Sequence, residues 1–98
     1  MAQLSAQIVS YDDGFKRQLS ALLRASGVPI SIVEGRSPEG TNPDLVVIDI
    51  RGDVSSGMAA IERLRATSPS LAIFVIASAS EPDLILQAMR AGANEFFP

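Results

Sequence analysis

Short apolar runs separated by polar segments divide the chain into alternating elements. The longest β-branched run covers residues 45–48 and contains no polar residue. Such a run is typical of a strand that is buried on both faces, as the central strand of a parallel sheet is. Shorter apolar runs predict four further strands, at residues 8–9, 30–33, 71–76 and 94–98.

A first helix is predicted between the strands at 8–9 and 30–33. Asp12 and Asp13 supply helix-start chemistry, and Gly27 ends the helix with Pro29 just beyond it. Its apolar positions recur at helical spacing and form one stripe: Phe15, Leu19, Leu22 and Leu23. The cations on its other face are predicted to be solvated: Lys16, Arg17 and Arg24.

Two further helices are predicted after the central strand. The first opens at Ser55-Ser56-Gly57 and is broken at Ser68-Pro69, and the second starts with Ser80 as its cap and ends at Gly92. The predicted apolar faces are Met58, Ile61 and Leu64 in the first helix, and Leu84, Ile85, Ala88 and Met89 in the second. The residues predicted to face solvent are Glu62, Arg63, Arg65 and, off the apolar stripe of the last helix, Leu86.

The segment at 34–42 interrupts this alternation. It contains two glycines, one proline and no apolar side chain, so it cannot supply a core-facing helix and is predicted to be a loop. The order of elements is therefore β-α-β-β-α-β-α-β with short connections. That order is typical of an α/β protein with a doubly wound parallel sheet and right-handed crossovers.

Composition limits the chemistry available. The 98 residues make one domain of ordinary globular composition and contain neither cysteine nor histidine. Their absence excludes thiol chemistry, cysteine-based metal sites and histidine-activated nucleophiles. A net charge of −3 with scattered cations argues against a nucleic-acid surface. With no signal peptide and no apolar run of membrane-spanning length, the sequence predicts a cytoplasmic domain.

Asp49 is the principal candidate for a functional residue because it follows the central apolar run directly. In open α/β sheets, ligands bind in the crevice beyond the carboxyl ends of the strands. An acid at that position is therefore a site candidate, although an aspartate that only caps the following loop would occupy the same position.

Two segments resemble the receiver domain of bacterial response regulators. Pro-Asp-Leu-Val-Val-Ile-Asp at 43–49 is similar to the phosphoacceptor strand, and the segment at 87–97 is similar to the fourth helix and the start of the fifth strand. The resemblance implies a flavodoxin-like (CheY-like) fold with strand order 2-1-3-4-5. It also implies a second helix that is reduced and a fifth helix that is absent, so that residues 1–98 form a single domain ending in or just after the fifth strand.

The resemblance places Asp49 at the phosphoacceptor position, but the surrounding pattern departs from the family. A gap-free alignment puts Ser10 and Tyr11 where the family has its metal-binding acids, and leaves Asp12 and Asp13 two places late. The position of the switch hydroxyl holds Ala77, and Ser78 fits it only if the next loop is one residue shorter. The family's lysine would follow Pro98. Arg51 either takes the place of the cation beside Asp49 or is a solvated loop residue.

These departures, together with Met-Arg-Ala-Gly-Ala-Asn-Glu-Phe-Phe at 89–97, resemble the atypical receiver domain of the CpaE/TadZ pilus-assembly family. The resemblance implies a non-enzymatic interaction and localisation module, without a cofactor, in a Tad (Flp) pilus-assembly protein placed at the cell pole. Its partners would be pilus or secretion proteins, a second copy, and a downstream ATPase domain. The implied interaction surface is the last helix and strand, with Leu86, Met89, Phe96 and Phe97.

The alternative is a phosphorylatable receiver of two-component signalling. It would accept a phosphoryl group on Asp49 and hold Mg²⁺ with Asp12, Asp13 and Asp49. A flavin- or nucleotide-binding domain is disfavoured, because acids occupy the first βα turn where a phosphate would lie. In either receiver hypothesis, the missing fifth helix predicts a partly uncovered sheet face and self-association or reduced stability.

Overall fold

The computed structural model describes residues 4–27, 29–32 and 43–98, and in these residues the strands form one parallel sheet. The sheet order is β2-β1-β3-β4-β5, which confirms the predicted flavodoxin-like fold. The elements, in chain order, are β1 (Leu4–Val9), α1 (Asp13–Ala25), β2 (Ile30–Ile32), β3 (Leu45–Asp49), α2 (Val54–Thr67), β4 (Ala72–Ile76), α3 (Pro82–Ala91) and β5 (Glu95–Phe97). Val33 and the predicted loop at 34–42 lie outside the described residues.

β3 is the central strand, as the apolar run predicts. It pairs with β1 on one side and β4 on the other, and Val46, Val47 and Ile48 are all buried. β1 is longer than the predicted pair of residues 8–9 and begins at Leu4. Pairing with both β2 and β3 extends it, because the ladder hydrogen bonds do not require apolar side chains at Ser5 and Gln7.

The two faces of the sheet are covered unequally. Burial alternates along β4: Ile73 and Val75 are fully buried, whereas Ala72, Phe74 and Ile76 are only half-buried. The fully buried side belongs to one core with α2 and α3, whose members include Met58, Ile61, Leu64 and Ala88. On the other side, Phe97 is 43% exposed and its ring packs against Phe74, with the centroids 5.7 Å apart. Phe97 is therefore partly exposed on the side of β4 and β5 that faces away from this core.

Gly57 is a glycine for steric reasons. A Cβ atom there would collide with the side chain of Ile50, which is fully buried directly after β3. The glycine lets the first turn of α2 lie against the end of the central strand. This contact fixes the path of the loop that connects them, and the candidate site is built on that loop.

Several local predictions are wrong in detail. Leu22 is 67% exposed, because it lies off the part of α1 that contacts the sheet, and Met89 is 38% exposed on the outer side of α3. The residue that caps α3 is Glu81 rather than Ser80, with Pro82 as the first helical residue. Arg65 is half-buried instead of solvated, because its guanidinium donates to the carbonyl oxygen of Gly92 at the turn after α3.

Candidate functional site

Asp49 is the last residue of β3, and only 5% of its side-chain surface is exposed. Its Oδ1 accepts hydrogen bonds from the Arg51 backbone N–H at 3.0 Å and from Arg51 Nε at 2.8 Å. Its Oδ2 accepts from Arg51 Nη2 at 2.8 Å and from the Ser10 hydroxyl at 2.7 Å. Both carboxylate oxygens are thus engaged, and the arginine binds them in a bidentate manner.

The turn after β3 brings Arg51 back over Asp49. Ile50 continues the direction of the sheet, since its N–H donates to the Ile76 carbonyl at 2.9 Å. Asp53 then caps α2 by accepting from the Ser56 N–H and hydroxyl, both at 3.0 Å. These hydrogen bonds lower the pKa of Asp53. With both ends fixed, the short loop places the Arg51 side chain next to the strand end.

Arg51 also connects this loop to the start of α1. Its guanidinium carbon lies 4.3 Å from the centroid of the Phe15 ring, and Nη2 lies 3.4 Å from Asp12 Oδ2. Asp12 caps α1, because its Oδ1 accepts from the Phe15 N–H at 3.0 Å. The backbone N–H of Asp12 donates to the Ser10 hydroxyl at 3.0 Å. One cation therefore has two carboxylates and an aromatic ring around it.

The electrostatics of the site keep Asp49 ionised. Burial of the carboxylate acts to raise its pKa, but the hydrogen bonds from Arg51 and Ser10 outweigh burial, so the pKa of Asp49 is lowered. The hydrogen bond to Asp49 likewise raises the pKa of Arg51. The pair is thus a carboxylate and a guanidinium at neutral pH.

The structure gathers some of the predicted site residues and separates others. Asp49, Arg51 and Asp12 lie together at the carboxyl end of the sheet. Asp13 lies in the first turn of α1 and lines a groove towards β2, and Ser78 is exposed beyond β4, without a hydrogen bond to Asp49.

Two residues of the site were not predicted to belong to it. The Ser10 hydroxyl donates to Asp49. The sequence signal that could have identified Ser10 is its position, because the family has an acid there. The sequence predicts Phe15 only as part of the apolar stripe of α1, and nothing in it indicates that the ring faces a cation. Among residues 4–27, 29–32 and 43–98, no group of three or more acidic side chains is arranged to hold a metal ion.

The residues of the predicted interaction surface lie on two sides of the sheet. Leu86 and Met89 are exposed on α3, at 48% and 38%. Phe96 packs against the core that α2 and α3 share, whereas Phe97 is in register with Ile76 and faces the opposite side. Within the described part of the chain, no helix is both long and apolar enough to cross a membrane.

A family model described as the response regulator receiver domain matches residues 16–98. Among curated proteins, a cyclic di-GMP phosphodiesterase of Thermotoga maritima is 24% identical over 98 residues, which cover 95% of this chain and 26% of that protein. The chain therefore spans about a quarter of the length of that relative.

Solved structures share the fold. The signal receiver domain of the response regulator NarL from Mycobacterium tuberculosis superposes with a TM-score of 0.85 at 19% identity, over 99% of this chain and 84% of that one. A protein of Burkholderia thailandensis assigned to pilus assembly (cpaE) superposes with a TM-score of 0.81 at 24% identity, over 96% of this chain and 84% of that one. At these identities the likeness concerns the fold alone.

Proposed function

Because the chain belongs to the response regulator receiver domain family, we propose that it is an atypical receiver that serves as an interaction and localisation module of a Tad (Flp) pilus-assembly ATPase. In this proposal it carries out no Mg²⁺-dependent phosphotransfer. The observation that carries the proposal is the pairing of Asp49 with Arg51, whose guanidinium engages both carboxylate oxygens. Any ATPase activity would belong to a further domain.

The donor groups around Asp49 fit a guanidinium and do not fit a hard cation. Mg²⁺ requires several oxygen ligands in near-octahedral geometry. Both oxygens of Asp49 already accept hydrogen bonds from Arg51 and Ser10, and Asp12 Oδ1 caps α1. A divalent ion at Asp49 would have to displace Arg51 from a bidentate contact. Arg51 therefore supplies the positive charge that this carboxylate needs, without a metal ion.

The pilus-assembly part of the proposal rests on two supports. One is the amino-acid sequence of residues 89–97, which resembles that of the CpaE/TadZ family. The other is the shared fold with the Burkholderia thailandensis protein assigned to pilus assembly. We infer from them that the domain binds pilus or secretion proteins, or a second copy, in the cytoplasm and near the cell pole.

Phosphoryl transfer can be tested directly. Incubation with Mg²⁺ and acetyl phosphate, followed by intact-protein mass spectrometry, is expected to leave the wild-type chain unmodified. Asp49→Asn serves as the matched control, and Arg51→Ala tests whether the guanidinium blocks the carboxylate. A phosphoryl adduct on the wild type that is lost in Asp49→Asn would contradict the proposal and establish the alternative of a phosphorylatable receiver.

That alternative is favoured by one observation, the ionised Asp49 at the end of the central strand. An ionised carboxylate is a competent nucleophile. The phosphorylatable receiver requires Arg51 to leave Asp49, and Asp12 or Asp13 to turn towards it with Mg²⁺.

The interaction surface on α3 can be tested separately. Leu86 and Met89 expose apolar surface on that helix, so replacing both with serine is expected to weaken self-association measured by sedimentation velocity. Leu22→Ser is the matched control, because Leu22 is exposed on α1. Equal effects of the double variant and the control would argue against α3 as the contact surface.

A further inference from the structure

A groove lies between α1 and the edge strand β2, and neither Asp49 nor Arg51 lines it. Its volume is about 460 Å³, and the described residues that line it are Asp13, Lys16, Arg17, Ser20, Arg24 and Ile32. Three of these residues are cations and one is an acid, although the chain as a whole carries a net charge of −3. The described lining of the groove, here called the basic groove, therefore carries a net positive charge.

The cations of the basic groove form no ion pair with any residue in the described part of the chain. The ion pairs found in residues 4–27, 29–32 and 43–98 both belong to Arg51. Lys16, Arg17 and Arg24 form neither an ion pair nor a side-chain hydrogen bond with any of those residues. They differ in this from Arg51 and Arg65, whose guanidinium groups are held by several acceptors.

β2 offers backbone groups beside these cations. It pairs with β1 along one edge, and no strand of the described residues pairs with its other edge. Unpaired N–H and C=O groups of an edge strand can accept an additional extended segment. Ile32 lines the basic groove, so this groove lies on the face of β2 that α1 covers. A strand added to β2 would extend that face.

The spacing of the groove residues matches that of a strand. Lys16, Ser20 and Arg24 lie four residues apart on one face of α1, which separates neighbours by about 6 Å along the helix. Alternate side chains of a strand lie on one face about 6.6 Å apart. A segment added to β2 would therefore bring every second side chain opposite this row.

We propose that the basic groove is a docking site for an extended acidic segment of a partner protein. The segment adds to the edge of β2 that no described strand pairs with, and it sets carboxylates, at alternating positions, against Lys16 and Arg24. Charge complementarity selects the acidic segment, and strand addition supplies the main-chain hydrogen bonds. The proposal is independent of the function proposed above, because it requires nothing of Asp49.

The test uses a fluorescein-labelled peptide of alternating glutamate and valine, with binding followed by fluorescence anisotropy at low salt. The double variant Lys16→Glu/Arg24→Glu is expected to weaken binding about tenfold or more, since it reverses two charges at the contact. Arg90→Glu is the matched control, because Arg90 is exposed on α3 and lines a different groove. It is expected to change the affinity less than about twofold.

Further measurements exclude simpler explanations. A peptide of alternating lysine and valine is expected to bind the double variant better than the wild type, and the far-UV circular dichroism spectra of the two proteins are expected to coincide, which excludes unfolding of the variant. In the wild type, amide chemical shifts are expected to change in β2 and α1 on addition of the acidic peptide. The proposal is overturned by the absence of saturable binding, by an equal loss in Arg90→Glu, or by tighter binding of a single-stranded oligonucleotide of equal charge.

Discussion

Arg51 and Arg65 stand at opposite ends of α2, and they are held in different ways. Arg51 precedes the helix and pairs with the carboxylate of Asp49. Arg65, in its last turn, donates to the carbonyl oxygens of Gly92, Ser68 and Pro69 and to Asn94 Oδ1. Arg51 has two ionisable partners, Asp49 and Asp12, whereas the described partners of Arg65 are neutral.

The difference separates two roles of arginine in this domain. Arg65 joins the end of α2 to the turn between α3 and β5, where Asn94 Oδ1 also accepts from the Ile73 N–H at 2.8 Å. Its acceptors do not titrate, so its contribution to stability is constant with pH. Arg51 joins the loop after β3 to the start of α1 through carboxylates, which titrate. Of the two arginines, only Arg51 therefore makes a contribution to stability that depends on pH.

The largest effect is expected for Arg65→Ala. Five hydrogen bonds would be lost and the carbonyl of Gly92 would lose its arginine donors, so we expect a loss of about 3 kcal/mol in the free energy of unfolding. Urea denaturation measures it. Arg90→Ala, on the exposed face of α3, is the control and is expected to change stability by less than about 0.5 kcal/mol. A loss in Arg65→Ala no larger than in this control would contradict a joining role for Arg65.

A smaller loss is expected for Arg51→Ala at neutral pH, because the carboxylate of Asp49 would be left with the Ser10 hydroxyl and one backbone donor. The same urea experiment, repeated at decreasing pH, sharpens the contrast between the arginines. The deficit of Arg51→Ala should shrink as Asp49 becomes protonated, while the deficit of Arg65→Ala should stay constant. If the loss of unfolding free energy changed with pH in the same way in both variants, the two arginines would not differ in the pH dependence of their contributions.

The smallest effect concerns the pH dependence carried by Asp49. Its pKa is lowered in the folded chain, so the stabilisation is present above the ordinary carboxyl pKa of about 4 and is lost as the pH falls through the folded value. The stability difference between the wild type and Asp49→Asn should therefore narrow below about pH 4. Taking this difference cancels the similar contribution of Asp53, whose pKa is also lowered. A difference that widens in acid would reverse the assigned sign.

The fold was largely predictable from local pattern. The apolar run of β3 and the helical spacing of Met58, Ile61 and Leu64 identify a buried strand and a helix face, and all of these residues but the half-buried Leu45 are buried. The predicted sheet order 2-1-3-4-5, which rested on the family resemblance, is confirmed. The period of apolar residues follows from secondary structure alone, so these features require no knowledge of long-range contacts.

The candidate site was predictable in part. Asp49 could be identified because the end of a strand is visible in the local sequence. For Arg51 the sequence left two interpretations, a cation paired with Asp49 or a solvated loop residue. The choice between them depends on the conformation of the loop, which places Nε and Nη2 of Arg51 on the two oxygens of Asp49. The prediction that Arg65 faces solvent is wrong, because helical periodicity alone places it on the outer face of α2. Its acceptors at Gly92 lie 27 residues further along the chain.

The sequence by itself determined the elements of this domain, the position of Asp49 and the lack of histidine and cysteine chemistry. The tertiary structure decided which polar groups meet: Ser10 with Asp49 and Asp12 with Arg51, each pair 39 residues apart. The physical reason is that apolar periodicity is a property of neighbouring residues. The partner of a polar side chain is set by parallel strand register and loop geometry, which bring distant residues to one end of the sheet.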